Sequence, residues 1–115
     1  MLCEKELQQM DENLWNCVVA FQRHTFYTYS GLAFSYTLKR GKNGKYTKEL
    51  WVDRMKKSKS LAWSSVLLAF HAAIAMREKP DEIATVKKPK DLGDIRGVSY
   101  IYPLLCQFGV IRAER

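Results

Sequence analysis

The chain has 115 residues, 47% hydrophobic and 27% charged, with a net charge of +7, which suits one domain with a real core and excludes a disordered polycation. No apolar run reaches the roughly 18 residues of a membrane span, and the N-terminus lacks a basic start followed by an apolar stretch, so a soluble, cytoplasmic protein is expected. The cysteines Cys3, Cys17 and Cys106 are odd in number and lack a Cys-x-x-Cys spacing, which argues against a disulfide framework.

Residues 3 to 23 read as an amphipathic helix. Cys3, Leu7, Met10, Leu14, Cys17 and Phe21 recur at alternating spacings of four and three, an a/d seam of nearly three heptads. The seam is expected to lie on its own domain, with a homodimer as the alternative. Residues 25 to 54 then turn β-like, rich in β-branched and aromatic residues. A first strand is predicted over Thr25 to Tyr29 and a second over Ala33 to Arg40. A third runs from Tyr46 to Arg54, joined to the second by the Gly41-Lys42-Asn43-Gly44 turn. Trp51 falls on the polar face of the third strand. It is placed either to stack on a base or to pack under the first helix.

A second helix is predicted from Leu61 to Arg77, with Trp63, Val66, Leu67, Phe70 and Ile74 as its main stripe. Ser58 or Ser60 would cap it. Ile83 to Val86 suits a short strand. A last helix spans Ser99 to Phe108, with Pro103 in its first turn and Gly109 as C-terminal cap, before a short strand at Val110 and Ile111. The fold class is α+β: an α-β-β-β-α core, a small antiparallel sheet packed on a central helix, with a short C-terminal helix.

The charge is concentrated. Nine of the 19 basic residues fall between Lys39 and Lys59, opposed only by Glu49 and Asp53, so that window holds the whole net charge of +7. They are Lys39, Arg40, Lys42, Lys45, Lys48, Arg54, Lys56, Lys57 and Lys59. A solubilising surface usually mixes signs, so the window points to a polyanion. Lysines on the hairpin are placed to reach phosphates. Lys56, Lys57, Ser58, Lys59 and Ser60 would offer charge and hydroxyls where the second helix begins and its free N–H groups point outward. Arg40, Asn43 and Arg54 are the candidate base readers, since Arg pairs well with guanine and Asn with adenine. A lysine-rich solvated hairpin that guards a sheet edge is the alternative account of the same residues.

The order α-β-β-β-α is similar to the double-stranded RNA-binding domain, although Ser60 and Trp63 stand where that family has lysines. A β-β-β-α core also resembles integrase-arm and AP2-like DNA-binding modules, which lay a sheet in the major groove. Separately, Phe26-x-Thr28-x-x-Gly31-Leu32-x-Phe34-x-Tyr36, Arg54-x-x-Lys57-Ser58 and Ser99-Tyr100-x-Tyr102-Pro103 resemble short uncharacterised proteins of Gram-positive gut bacteria, a likeness that carries no assigned activity.

Catalytic groupings are poor. Ser64 and His71 would lie about 10 Å apart along a helix, where a nucleophile and its base need about 3 Å. Glu49 and Asp53 share a strand face about 13 Å apart, too far for one metal. Cys17 and His24 are two ligands where zinc needs three or four. His71, on a nearly apolar helix, is expected to be a buried, hydrogen-bonded histidine. No cofactor, metal or catalysis is expected. The expected function is nucleic-acid binding, duplex DNA first and double-stranded RNA second.

Overall fold

The computed structural model describes residues 3–54 and 57–113. The first helix, α1 (Glu4–Ala20), leads into β1 (Phe26–Tyr27), β2 (Ala33–Arg40), β3 (Tyr46–Arg54) and β4 (Lys57–Ala62). These four strands form one antiparallel sheet in chain order. Then come α2 (Trp63–Ala75), β5 (Ala84–Val86), a 3-10 turn at Pro89–Leu92, α3 (Val98–Gln107) and β6 (Ile111–Ala113), with β5 and β6 paired in parallel. The class is α+β, as expected.

Period-2 alternation builds the sheet. Phe34, Tyr36 and Leu38 of β2 are buried, as are Leu50 and Val52 of β3 and Leu61 of β4. These side chains meet Leu14 and Val18 of α1, Val66, Ala69, Phe70 and Ala73 of α2, and Ile101, Leu104 and Leu105 of α3 in one core. The opposite face holds Ser35, Thr37, Thr47, Glu49, Trp51, Asp53, Ser58 and Ser60, none of them buried. It is therefore an open sheet face.

Side chains close the end of α1. The last carbonyls of a helix have no intrahelical donor. Here the Tyr36 hydroxyl donates to the Val18 carbonyl at 2.5 Å, and Gln22 Nε2 donates to the Val19 carbonyl at 3.2 Å. Gln22 Oε1 also accepts from the Leu38 N–H at 2.9 Å, so one side chain ties the helix end to the β2 edge. The α3 helix ends in a Schellman motif: Val110 N–H reaches the Leu105 carbonyl at 2.9 Å and Gly109 N–H the Cys106 carbonyl at 3.2 Å.

Several expectations change. A fourth strand, β4, occupies residues expected to lead into the second helix. Its Lys57, Lys59, Ser58 and Ser60 hide it, because an edge strand forms through its backbone ladder and tolerates polar side chains on both faces. The second helix consequently starts at Trp63, and its N-cap is Ala62 with no side-chain cap, so neither Ser58 nor Ser60 caps it. The first strand shrinks to Phe26–Tyr27. Helix α1 stops at Ala20, short of Cys17 and His24 sharing a face, and Arg23 takes a φ of 68°. Pro103 lies inside α3, not in its first turn, which removes the bond its N–H would make to the Ser99 carbonyl. Trp51 lies on the open face opposite Thr37 and Ser60, away from α1. His71 is 39% exposed rather than buried, with Nε2 2.8 Å from Asp11 Oδ1.

Candidate nucleic-acid interface

The sheet separates the basic window into parts that the sequence runs together. At one end is the β2–β3 hairpin. Arg40 pairs with Tyr46 across it, and the loop is closed by bonds from Gly41 N–H to the Lys45 carbonyl at 2.7 Å and from Gly44 N–H to the Gly41 carbonyl at 3.0 Å. Gly44 sits at φ 78°, a left-handed conformation that suits glycine. Lys42 and Lys45 are exposed on this loop. Arg40 is held back on the hairpin: Nη1 donates to the Gly44 carbonyl at 2.7 Å, and Cζ lies 4.5 Å from the Tyr46 ring centroid. Asn43 Oδ1 accepts from the Lys45 N–H at 3.0 Å. Two of the three candidate base readers are thus engaged in their own turn.

Lys39 lies on the open sheet face, Nζ 3.9 Å from the Trp51 ring centroid. That face carries Glu49 and Asp53 against this one lysine, so the positive charge does not lie on the flat of the sheet. Lys48 points to the opposite side, Nζ 3.6 Å from the Trp15 ring and 5.7 Å from the Trp63 ring. Loss of solvent there draws its pKa below the ordinary lysine value. Asp11 and Glu12 line the same hollow. Lys48 is therefore a packing cation, set between the hairpin and the far end of the sheet.

The nine residues of β3 carry the chain about 27 Å to a second cluster. Arg54 pairs with Lys57, and Lys59 with Val52, so Arg54, Lys57 and Lys59 all belong to the side that faces the helices. There they meet α3. Arg54 Nη1 donates to the Tyr100 hydroxyl. Arg54 Cζ and Lys59 Nζ lie 5.5 and 5.7 Å from the Tyr100 ring centroid. A cleft of about 560 Å³ opens beside them, lined by Thr28, Leu32, Phe34, Arg54, Lys57 and Tyr100. The ion pairs among the described residues are His71–Asp11 and Lys79–Glu82, so no carboxylate pairs with Arg54, Lys57 or Lys59.

Ser58 and Ser60 point to the open face, paired with Asp53 and Trp51, rather than toward a helix start. Lys56 lies outside the described residues. The expected cluster of basic and hydroxyl groups at the second helix N-terminus is therefore replaced by an edge strand whose lysines turn toward Tyr100. The sequence reading missed Thr28, Leu32, Phe34 and Tyr100. Leu32 had a usable signal, an apolar residue next to a Ser-Gly turn. Tyr100 had none, since 46 residues separate it from Arg54.

Half of the α1 seam is used within the chain: Leu14 is buried and Met10 and Phe21 pack on the core, whereas Leu7 and Cys17 are half-buried outside it and Cys3 is exposed. Among the described residues no helix is long and apolar enough to cross a membrane, and no cluster of three metal-ligating side chains occurs. No protein-family model matches the chain, and no curated protein or solved structure shows significant similarity to it.

Proposed function

We propose that this chain is a non-catalytic nucleic-acid-binding protein that grips phosphates. The observation that carries the reading is that Arg54 and Lys57 line one cleft beside Tyr100, with Lys59 over the same ring, and that no carboxylate among the described residues pairs with them. Like charges gathered without counter-charges repel one another, and a phosphate relieves that repulsion. Lys42 and Lys45 on the hairpin supply a second contact about 27 Å away along β3, near the rise of eight base pairs of duplex. With Arg40 and Asn43 held in their turn, base reading is weak and affinity is mostly electrostatic. Duplex DNA is the first ligand to test and double-stranded RNA the next. A homodimer through the α1 seam is less favoured, because Leu14 is buried and Met10 and Phe21 are packed inside the chain.

The test is fluorescence anisotropy with matched duplex DNA, duplex RNA and single strands, from low salt to about 200 mM. Each phosphate contact contributes about 0.9 to the salt slope on a duplex and about 0.7 on a single strand. Replacing Arg54, Lys57 and Lys59 together with glutamine is expected to flatten the slope by about 2 to 3. Replacing Lys42 and Lys45 removes less. Absence of micromolar binding at low salt, or unchanged affinity in the triple variant, would sink the reading.

A further inference from the structure

The cleft beside Tyr100 is more than a patch of charge. Exposed large hydrophobic side chains are few among the described residues, yet Tyr27, Tyr29 and Leu32, at 63%, 64% and 59% exposure, fall within six positions on and after β1. Leu32 lines the cleft together with the cations. Tyr29 stands on the other side of Thr28, its ring 6.2 Å from that of Tyr102, in an adjoining hollow that Thr28 also lines. The inner wall is Phe34, set edge-on to Tyr100 at 5.2 Å between centroids. Phosphate alone needs no such wall. Exposed apolar surface next to cations that no carboxylate among the described residues pairs matches a ligand with an apolar face and a nearby negative charge.

We infer that the cleft takes a single unpaired nucleotide, its base against the exposed Leu32 and its phosphate between Arg54 and Lys57. The inference rests on the nucleic-acid reading and specifies which part of the ligand this site holds. The size agrees, because about 560 Å³ falls in the range of small-molecule sites. The Arg54–Tyr100 bond holds the guanidinium in the cleft lining before the ligand arrives, which lowers the cost of ordering it. An unpaired nucleotide offers both faces of its base, and such stacking is tolerant of sequence. A frayed duplex end or a single strand presents such a nucleotide.

The experiment is an amide NMR titration of the intact chain with adenosine 5′-monophosphate, inorganic phosphate and adenosine in parallel. Saturable shifts are expected for Leu32, Ala33, Phe34, Lys57 and Tyr100 with the monophosphate, and at least about tenfold weaker binding of phosphate and of adenosine. One decade corresponds to 1.4 kcal/mol. Leu32→Ser, at a position 59% exposed and so tolerant in the fold, is expected to weaken the monophosphate several-fold and leave phosphate unchanged. Arg54→Gln weakens both. If phosphate binds as tightly as the monophosphate, the base site is overturned. If oligonucleotides bind in the anisotropy assay while these amides stay still at 10 mM monophosphate, the cleft inference fails and the phosphate-gripping reading survives. If neither oligonucleotides nor the monophosphate bind, both fail.

Discussion

Tyr36→Phe isolates one hydrogen bond whose consequences follow from geometry. Tyr36 and Val18 are both 0% exposed, and the hydroxyl donates to the Val18 carbonyl at 2.5 Å. That carbonyl is in the last turn of α1, where helical donors run out. Removing the hydroxyl leaves the ring packing intact but strands a buried acceptor. A typical hydrogen bond contributes about 1 kcal/mol net, and an unsatisfied buried group costs about 1 to 3 kcal/mol. The expected loss is therefore about 1 to 3 kcal/mol. For a chain of 115 residues the unfolding entropy is about 240 cal/mol/K, so Tm should drop by roughly 4 to 12 °C. Urea unfolding followed by tryptophan fluorescence measures the same loss as a lower midpoint at unchanged m. Tyr27→Phe is the control, since Tyr27 is 63% exposed. A Tm change in Tyr36→Phe no larger than that of the control would refute the claim that this bond holds the end of α1 to the sheet.

Three further outcomes are expected. Gly97→Ala should cost more than about 2 kcal/mol, because Gly97 sits at φ 79° and an added Cβ would lie 2.1 Å from Leu61 Cδ2; a urea midpoint within error of wild type would contradict this. Burial lifts the Tyr102 phenol from 10.0 to about 12, its hydroxyl donating to the Val86 carbonyl. With the folded value above the unfolded one, this stabilisation is full below pH 10 and fades as pH rises toward 12. The stability advantage of wild type over Tyr102→Phe should then shrink by about 2 to 3 kcal/mol between pH 9 and 12, and a pH-independent difference would count against it. A double-mutant cycle on His71→Ala and Asp11→Ala should give a coupling of about 0.5 to 1 kcal/mol, and strict additivity would show that the 2.8 Å contact does not latch α1 to α2.

Local pattern carried the fold a long way. The alternation of Phe34, Tyr36 and Leu38 and the Asn43-Gly44 turn specified β2, the hairpin and β3, because period 2 and a left-handed glycine are readable from neighbours alone. The stripe of Val66, Phe70 and Ile74 specified α2 in the same way, and Gly109 its C-terminal counterpart in α3. β4 was illegible because Lys57-Ser58-Lys59-Ser60 has no apolar alternation. Its stability comes from the β3 ladder and its one buried side chain, Leu61, which are long-range facts.

The candidate site divides along the same line. Sequence alone determined that the positive charge is concentrated in one window, since charge is additive along a chain. Tertiary structure decided where that charge points. The alternation of β2, β3 and β4 sends Lys39 to the open face, Lys48 toward two tryptophans, and Lys57 and Lys59 to the side that faces the helices. A one-residue change of strand position reverses the face of a side chain, so lysines gathered in one sequence window part into separate environments. The meeting of Arg54 with Tyr100 and the exposed Leu32 depends on α3 folding back across the sheet, and only the packing of a distant helix on that face creates it.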